Sequence, residues 1–124
     1  MRSDITIIIA EPAEVLASEL RSFFEEKGFN IIHADSLKDT LLNLQSQKVD
    51  VLLLDADLLE EDCAFISIIK GIEEELPIII CAETNTPELE SKIRQQGIFF
   101  YHIKSFGTQD LEMAISNAIY KLSH

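Results

Sequence analysis

Residues 49–55 read Val-Asp-Val-Leu-Leu-Leu-Asp: Val49–Leu54 is an apolar run, nearly continuous in its Val-Leu-Leu-Leu part, and an acid follows it. Two more runs, Ile5–Ile9 and Pro77–Cys81, have the same nearly continuous apolar character. Strands that are apolar on both faces are typical of a parallel sheet covered by helices on both sides. This stretch therefore predicts an α/β fold with a buried parallel sheet.

Two further apolar runs, Asn30–Ala34 and Phe99–Ile103, bring the number of predicted strands to five. The segments between and after the strands have helical spacing of apolar residues, beginning with Ala13–Lys27, which Gly28 ends. The sequence thus predicts five βα units in one domain over residues 1–124. Because a closed barrel needs eight units, we expect an open, doubly wound sheet.

Start and stop residues place the other helices. Ser36 can cap a helix whose first turn contains Asp39, and Thr86-Pro87 opens another that Gly97 ends. A helix over about residues 62–75 and a last one opened by Thr108 complete the set.

Composition excludes several classes of function. The 124 residues carry a formal net charge of −12, which argues against direct nucleic-acid binding because that needs a basic surface. Two cysteines, Cys63 and Cys81, are too few for a disulfide framework and show no CxxC spacing, and the apolar run around Cys81 predicts that it is a buried core residue. No signal peptide or membrane-spanning run is present, which predicts a cytoplasmic protein. Phosphate loops and Ser-His-Asp patterns are also absent, and His33 and His102 lack metal-ligand spacing.

Charged residues follow the predicted strands. Glu11 follows the first strand, Asp55 and Asp57 the third, Glu83 the fourth and Lys104 the fifth. In an open parallel sheet, ligands bind outside the carboxyl ends of the strands. We therefore expect a site where these acids face Lys104.

These residues resemble the receiver domain of two-component response regulators over essentially the whole chain. The resemblance rests on Ile7–Glu11, on the strand that ends in Asp55, and on the order Gly97, Tyr101, Lys104. It implies a flavodoxin-like, doubly wound (βα)5 sheet with strand order 2-1-3-4-5. It also implies that Asp55 accepts a phosphoryl group from a histidine kinase, that Lys104 neutralises charge, and that Tyr101 is a switch residue.

Two departures from the family pattern affect the site. Receivers usually have two adjacent acids that hold magnesium, whereas here Glu11 is followed by Pro12. The family's phosphoryl-binding threonine or serine, the other part of the switch, is Ala82. The resemblance thus implies a weakened Mg²⁺ site with Glu11, Asp55 and Asp57 as ligands.

Two functional hypotheses follow. In the first, the chain is a phosphorelay receiver that accepts a phosphoryl group on Asp55 with impaired activity. In the second, it is a pseudo-receiver in which Asp55 and Lys104 form a structural ion pair and the domain binds a protein. Neither is a conventional enzyme. The expected partners are a histidine kinase or another signalling protein, with homodimerisation open and no membrane or nucleic acid involved.

Overall fold

The run Val51–Asp55 forms the central strand, β3, and all five of its residues are buried. The computed structural model describes residues 4–59, 64–83 and 86–122. Within them β3 lies between β1 (Thr6–Ala10) and β4 (Ile78–Ala82), with β2 (Asn30–Ala34) and β5 (Phe100–Ile103) at the edges. All four pairings are parallel and the order is β2-β1-β3-β4-β5. The predicted doubly wound sheet is confirmed.

Helices cover both faces of this sheet. In chain order they are α1 (Val15–Glu19), α2 (Arg21–Lys27), α3 (Leu37–Ser46), α4 (Ala64–Ile72), α5 (Pro87–Arg94) and α6 (Gln109–Leu122). One core cluster joins the sheet to α3, α4 and α5, and the other joins it to α1, α2 and α6. Ile8 belongs to the first cluster and Ile7 and Ile9 to the second, so both faces of β1 are buried. This explains why the strand sequence does not alternate.

The segment predicted as one helix over Ala13–Lys27 is two helices that meet at Leu20. The backbone of Leu20 has φ −97° and ψ 3°, outside helical values. Leu16, Leu20 and Phe24 are nevertheless buried together, and Leu20 and Phe24 each donate a backbone hydrogen bond to the carbonyl four residues earlier. Because the apolar stripe continues across the break, its spacing predicts a single helix. Gly28 ends α2 at φ 74°, as expected.

The other helix boundaries agree in part. The Ser36 hydroxyl accepts the Asp39 N–H at 3.0 Å, which confirms the predicted cap of α3. Thr86 is the N-cap of α5 but makes no side-chain cap bond, and α5 ends at Arg94, before Gly97. Helix α4 is shorter than predicted, and residues 62 and 63 lie outside the described part of the chain.

Candidate functional site

Asp55 is the last residue of β3 and lies at the carboxyl edge of the sheet. The chain turns there into a short 3-10 turn, Ala56–Leu58, and Asp55 caps it: Oδ1 accepts the N–H of Asp57 at 2.9 Å. Asp55 is 3 % exposed. A carboxylate buried this far requires compensation for its charge.

Lys104 supplies that compensation. It opens a second 3-10 turn, Lys104–Phe106, directly after β5, and its Nζ donates to Asp55 Oδ2 at 2.6 Å. Glu83 follows β4, and its Oε1 lies 3.9 Å from the same Nζ. Burial alone lowers the pKa of Lys104, but the hydrogen bond and charge of Asp55, together with the charges of Glu83 and Asp57, outweigh burial, so the pKa is raised above 10.5. The structure thus brings together three of the charged residues that the sequence predicted at this edge: Asp55, Glu83 and Lys104.

Glu11 is buried at the same edge, but its carboxylate is bonded elsewhere. Oε1 accepts the N–H of Leu16 at 2.9 Å and Oε2 accepts that of Ala17 at 3.0 Å. These N–H groups belong to the first turn of α1, where backbone donors have no partner within the helix. His33 Nε2 lies 3.5 Å from Glu11 Oε2. Glu11 therefore caps α1, a role that its place in the sequence did not reveal.

The carboxylates of two predicted magnesium ligands, Glu11 and Asp55, have hydrogen-bond partners within the domain. Each oxygen of Glu11 and of Asp55 is engaged within the domain, Pro12 offers no ligand, and Asp57 is exposed. Across the described residues, no cluster of three or more histidine, cysteine or acidic side chains could hold a metal ion. Glu11, Asp55 and Asp57 remain a predicted ligand set.

The two predicted switch positions are both buried. Ala82 ends β4 and is 3 % exposed, so the place of a phosphoryl-binding hydroxyl is taken by a methyl group. Tyr101 lies on β5 and packs into the core on the α3, α4 and α5 side, with the Arg94 guanidinium 5.6 Å from its ring centroid. A movement of Tyr101 stays a prediction.

The family model of the response regulator receiver domain matches residues 7–116. The chain belongs to this family. Its functional context is two-component signalling, and the match includes every predicted site residue of this receiver domain. No match was found among curated protein sequences.

Solved receiver structures share the fold of this receiver domain. A response regulator receiver domain from Clostridium thermocellum is 22 % identical with a TM-score of 0.82, and the alignment covers 96 % of this chain and 97 % of that one. The signal receiver domain of an HD domain-containing protein from Pseudomonas fluorescens Pf-5 is 20 % identical, with a TM-score of 0.84 and the same coverages. A response regulator from Thermotoga maritima is 19 % identical with a TM-score of 0.84, covering 95 % and 99 %. At these identities the likeness shows the fold.

Cys81 is fully buried, as predicted, and burial raises the pKa of its thiol. The other cysteine, Cys63, lies outside the described residues.

The side chain of His102 is buried on β5 and forms a hydrogen bond with Asp110. The sequence analysis did not predict this contact, although the predicted start of α6 placed Asp110 in the first turn of that helix. None of the helices in the described ranges is both long and apolar enough to cross a lipid bilayer.

Proposed function

We propose that this receiver domain accepts a phosphoryl group from a histidine kinase on Asp55, slowly, and passes the signal on by binding a protein. The observation that carries the proposal is the contact of the Lys104 ammonium with Asp55 Oδ2 at 2.6 Å. A carboxylate nucleophile needs a nearby cation, because the attacked phosphoryl oxygens are themselves negative. Lys104 meets that need at the edge of the sheet where ligands of this fold class bind.

The transfer is a simple displacement at phosphorus. One Asp55 oxygen attacks the phosphorus of a phosphohistidine, a P–O bond forms, and the P–N bond breaks. The leaving nitrogen keeps the electron pair of that bond and takes up a proton. The Lys104 ammonium shifts from Asp55 Oδ2 to a phosphoryl oxygen, so the negative charge keeps its partner.

The surroundings of Asp55 predict a slow reaction. The Ala82 methyl group cannot donate a hydrogen bond to the phosphoryl oxygens, and the Glu11 carboxylate is bonded to α1. A hydrogen bond to a charged group contributes about 1.5–3 kcal/mol. If it forms only in the transition state, its absence slows transfer by roughly 10- to 160-fold.

A second candidate is the phosphorylation-independent pseudo-receiver. It is favoured by the same set of internal bonds: both oxygens of Asp55 and both of Glu11 already have partners within the domain. Asp55 and Lys104 then stabilise the sheet edge, and the domain signals through protein contacts alone. Neither candidate includes turnover of a small-molecule substrate.

Incubation with phosphoramidate, with and without Mg²⁺, followed by intact mass measurement, separates the two candidates. The proposal predicts a single phosphoryl adduct that accumulates slowly, is absent in Asp55→Asn and persists in the control Asp35→Asn, which replaces an exposed acid outside the site. If labelling of Asp55 requires Mg²⁺, that result supports Glu11, Asp55 and Asp57 as the magnesium ligands. If no adduct forms in either condition while the domain still binds the kinase or another partner, the phosphoacceptor proposal is refuted and the pseudo-receiver is supported.

A further inference from the structure

His102 is a buried histidine in the same row of the sheet as Asp55. In the strand register Asp55 pairs with Cys81, and Cys81 pairs with His102. Side chains in one row of a parallel sheet point to the same face, so His102 lies on the Asp55 face, two strand spacings or about 10 Å away. It is 1 % exposed, and the proposed phosphoryl transfer does not use it.

The side chain of His102 is bonded to the start of α6. Its Nδ1 lies 3.2 Å from Asp110 Oδ2. A carboxylate only accepts hydrogen bonds, so Nδ1 is the donor. Within the described residues the other ring nitrogen, Nε2, and Asp110 Oδ1 are buried without a hydrogen-bond partner. Because unsatisfied buried polar atoms are destabilising, an apolar side chain at position 102 would pack here at less cost.

The segment between these two residues carries the lysine of the candidate site. The paired part of β5 ends at Ile103, and the 3-10 turn Lys104–Phe106 follows immediately. Inside that turn the Gly107 N–H donates to the Lys104 carbonyl at 3.2 Å, and Gly107 has φ 87°. The bond between Nδ1 and the first turn of α6 ties the two ends of this segment together. Shortening a free loop in this way reduces the number of conformations it can adopt.

We propose that His102 and Asp110 are positioning residues, whose hydrogen bond holds the Lys104 turn at the sheet edge and keeps the Lys104 ammonium on Asp55. The relevance of this bond to signalling rests on the proposed function of Asp55. Its structural effect is measurable without any phosphoryl transfer.

Competitive acetylation of the lysines with an N-hydroxysuccinimide ester at limiting concentration, read out by peptide mass spectrometry, tests the proposal. The exposed Lys48 is the internal reference in every sample. His102→Leu and Asp110→Ala should each raise acetylation of Lys104 relative to Lys48 by roughly 5- to 10-fold, less than the loss of a fully buried charge-assisted hydrogen bond would give, because the Asp110 side chain is 42 % exposed. Asp110→Asn, whose amide oxygen still accepts from Nδ1, should stay within about twofold of the wild type. Glu112→Gln removes an equal charge from the same helical turn but keeps the side-chain oxygen that accepts from Thr108 Oγ1, so it should leave the ratio unchanged.

Three results would overturn the proposal: an unchanged ratio in both His102→Leu and Asp110→Ala, an equal rise in Glu112→Gln, or a failure of Asp110→Asn to differ from Asp110→Ala. Circular dichroism checks folding, and Asp110→Ala carries the test if His102→Leu does not fold. Because acetylation does not involve Asp55 chemistry, an absent phosphoryl adduct would refute the proposed function without affecting this result.

Discussion

Replacing Lys104 with methionine tests whether the central ion pair of the site is a buried one. The Lys104 side chain is 14 % exposed and that of Asp55 is 5 % exposed. Methionine keeps most of the aliphatic volume of lysine but leaves the Asp55 carboxylate buried without its cation. Removal of one partner from a buried pair costs about 3–5 kcal/mol, and we expect about 3 kcal/mol because some solvent reaches the ammonium.

Urea unfolding at neutral pH, followed by circular dichroism, measures this loss. With a denaturant slope of about 2 kcal/mol/M, a loss of about 3 kcal/mol lowers the midpoint by about 1.5 M. Lys48→Met is the matched control, because Lys48 is exposed and its replacement should change stability by less than about 0.5 kcal/mol.

A double-mutant cycle separates the pair from the packing of lysine. In Asp55→Asn/Lys104→Met no charge is stranded, and Asn still accepts the Asp57 N–H through its side-chain oxygen. The double variant should therefore be more stable than the sum of the two single losses by about 2 kcal/mol. If Lys104→Met costs no more than Lys48→Met, or if the two single losses add, the Asp55–Lys104 pair does not compensate a buried charge and the argument for the site is wrong.

Three further predictions concern the same edge of the sheet. The pKa of Lys104 in the folded protein is raised above 10.5, so the ion pair contributes its full stabilisation below pH 10.5 and loses it as the pH rises through the folded pKa. In urea unfolding, the difference in free energy of unfolding between wild type and Lys104→Met should therefore narrow well above pH 10.5. Glu11→Gln should lower the stability by about 1 kcal/mol in thermal unfolding, because the first turn of α1 loses its carboxylate, whereas the exposed Glu14, which makes no side-chain cap bond, should be replaceable by Gln without effect. Ala82→Thr should raise phosphoramidate labelling of Asp55 by roughly tenfold, and the isosteric Ala82→Val, which adds the same bulk without a hydroxyl, should not.

The position of Asp55 and Lys104 follows from the sequence because it depends only on where strands end. A run such as Val51–Leu54 fixes a buried strand, and the parallel βα repeat brings all the strand ends to one edge. The first polar residue after each run then lies at that edge, and its position does not depend on where the helices begin and end. The helix boundaries were predicted less well: the sequence pattern did not reveal the break at Leu20 or the end of α5 at Arg94.

The partners of Glu11 did not follow from the sequence, because they depend on which donors face the carboxylate in three dimensions. An acid after β1 reads equally as a metal ligand or as a helix cap, since both roles need carboxylate oxygens at the same sheet edge. The start of α1 at Val15 gives Glu11 the cap role, by placing the N–H groups of Leu16 and Ala17 2.9 Å and 3.0 Å from its two oxygens. A cation at this edge would have to compete with those two hydrogen bonds. Any magnesium dependence of Asp55 labelling should therefore be accompanied by a measurable loosening of the first turn of α1, and labelling that depends on Mg²⁺ without that change would show that Glu11 is not a ligand.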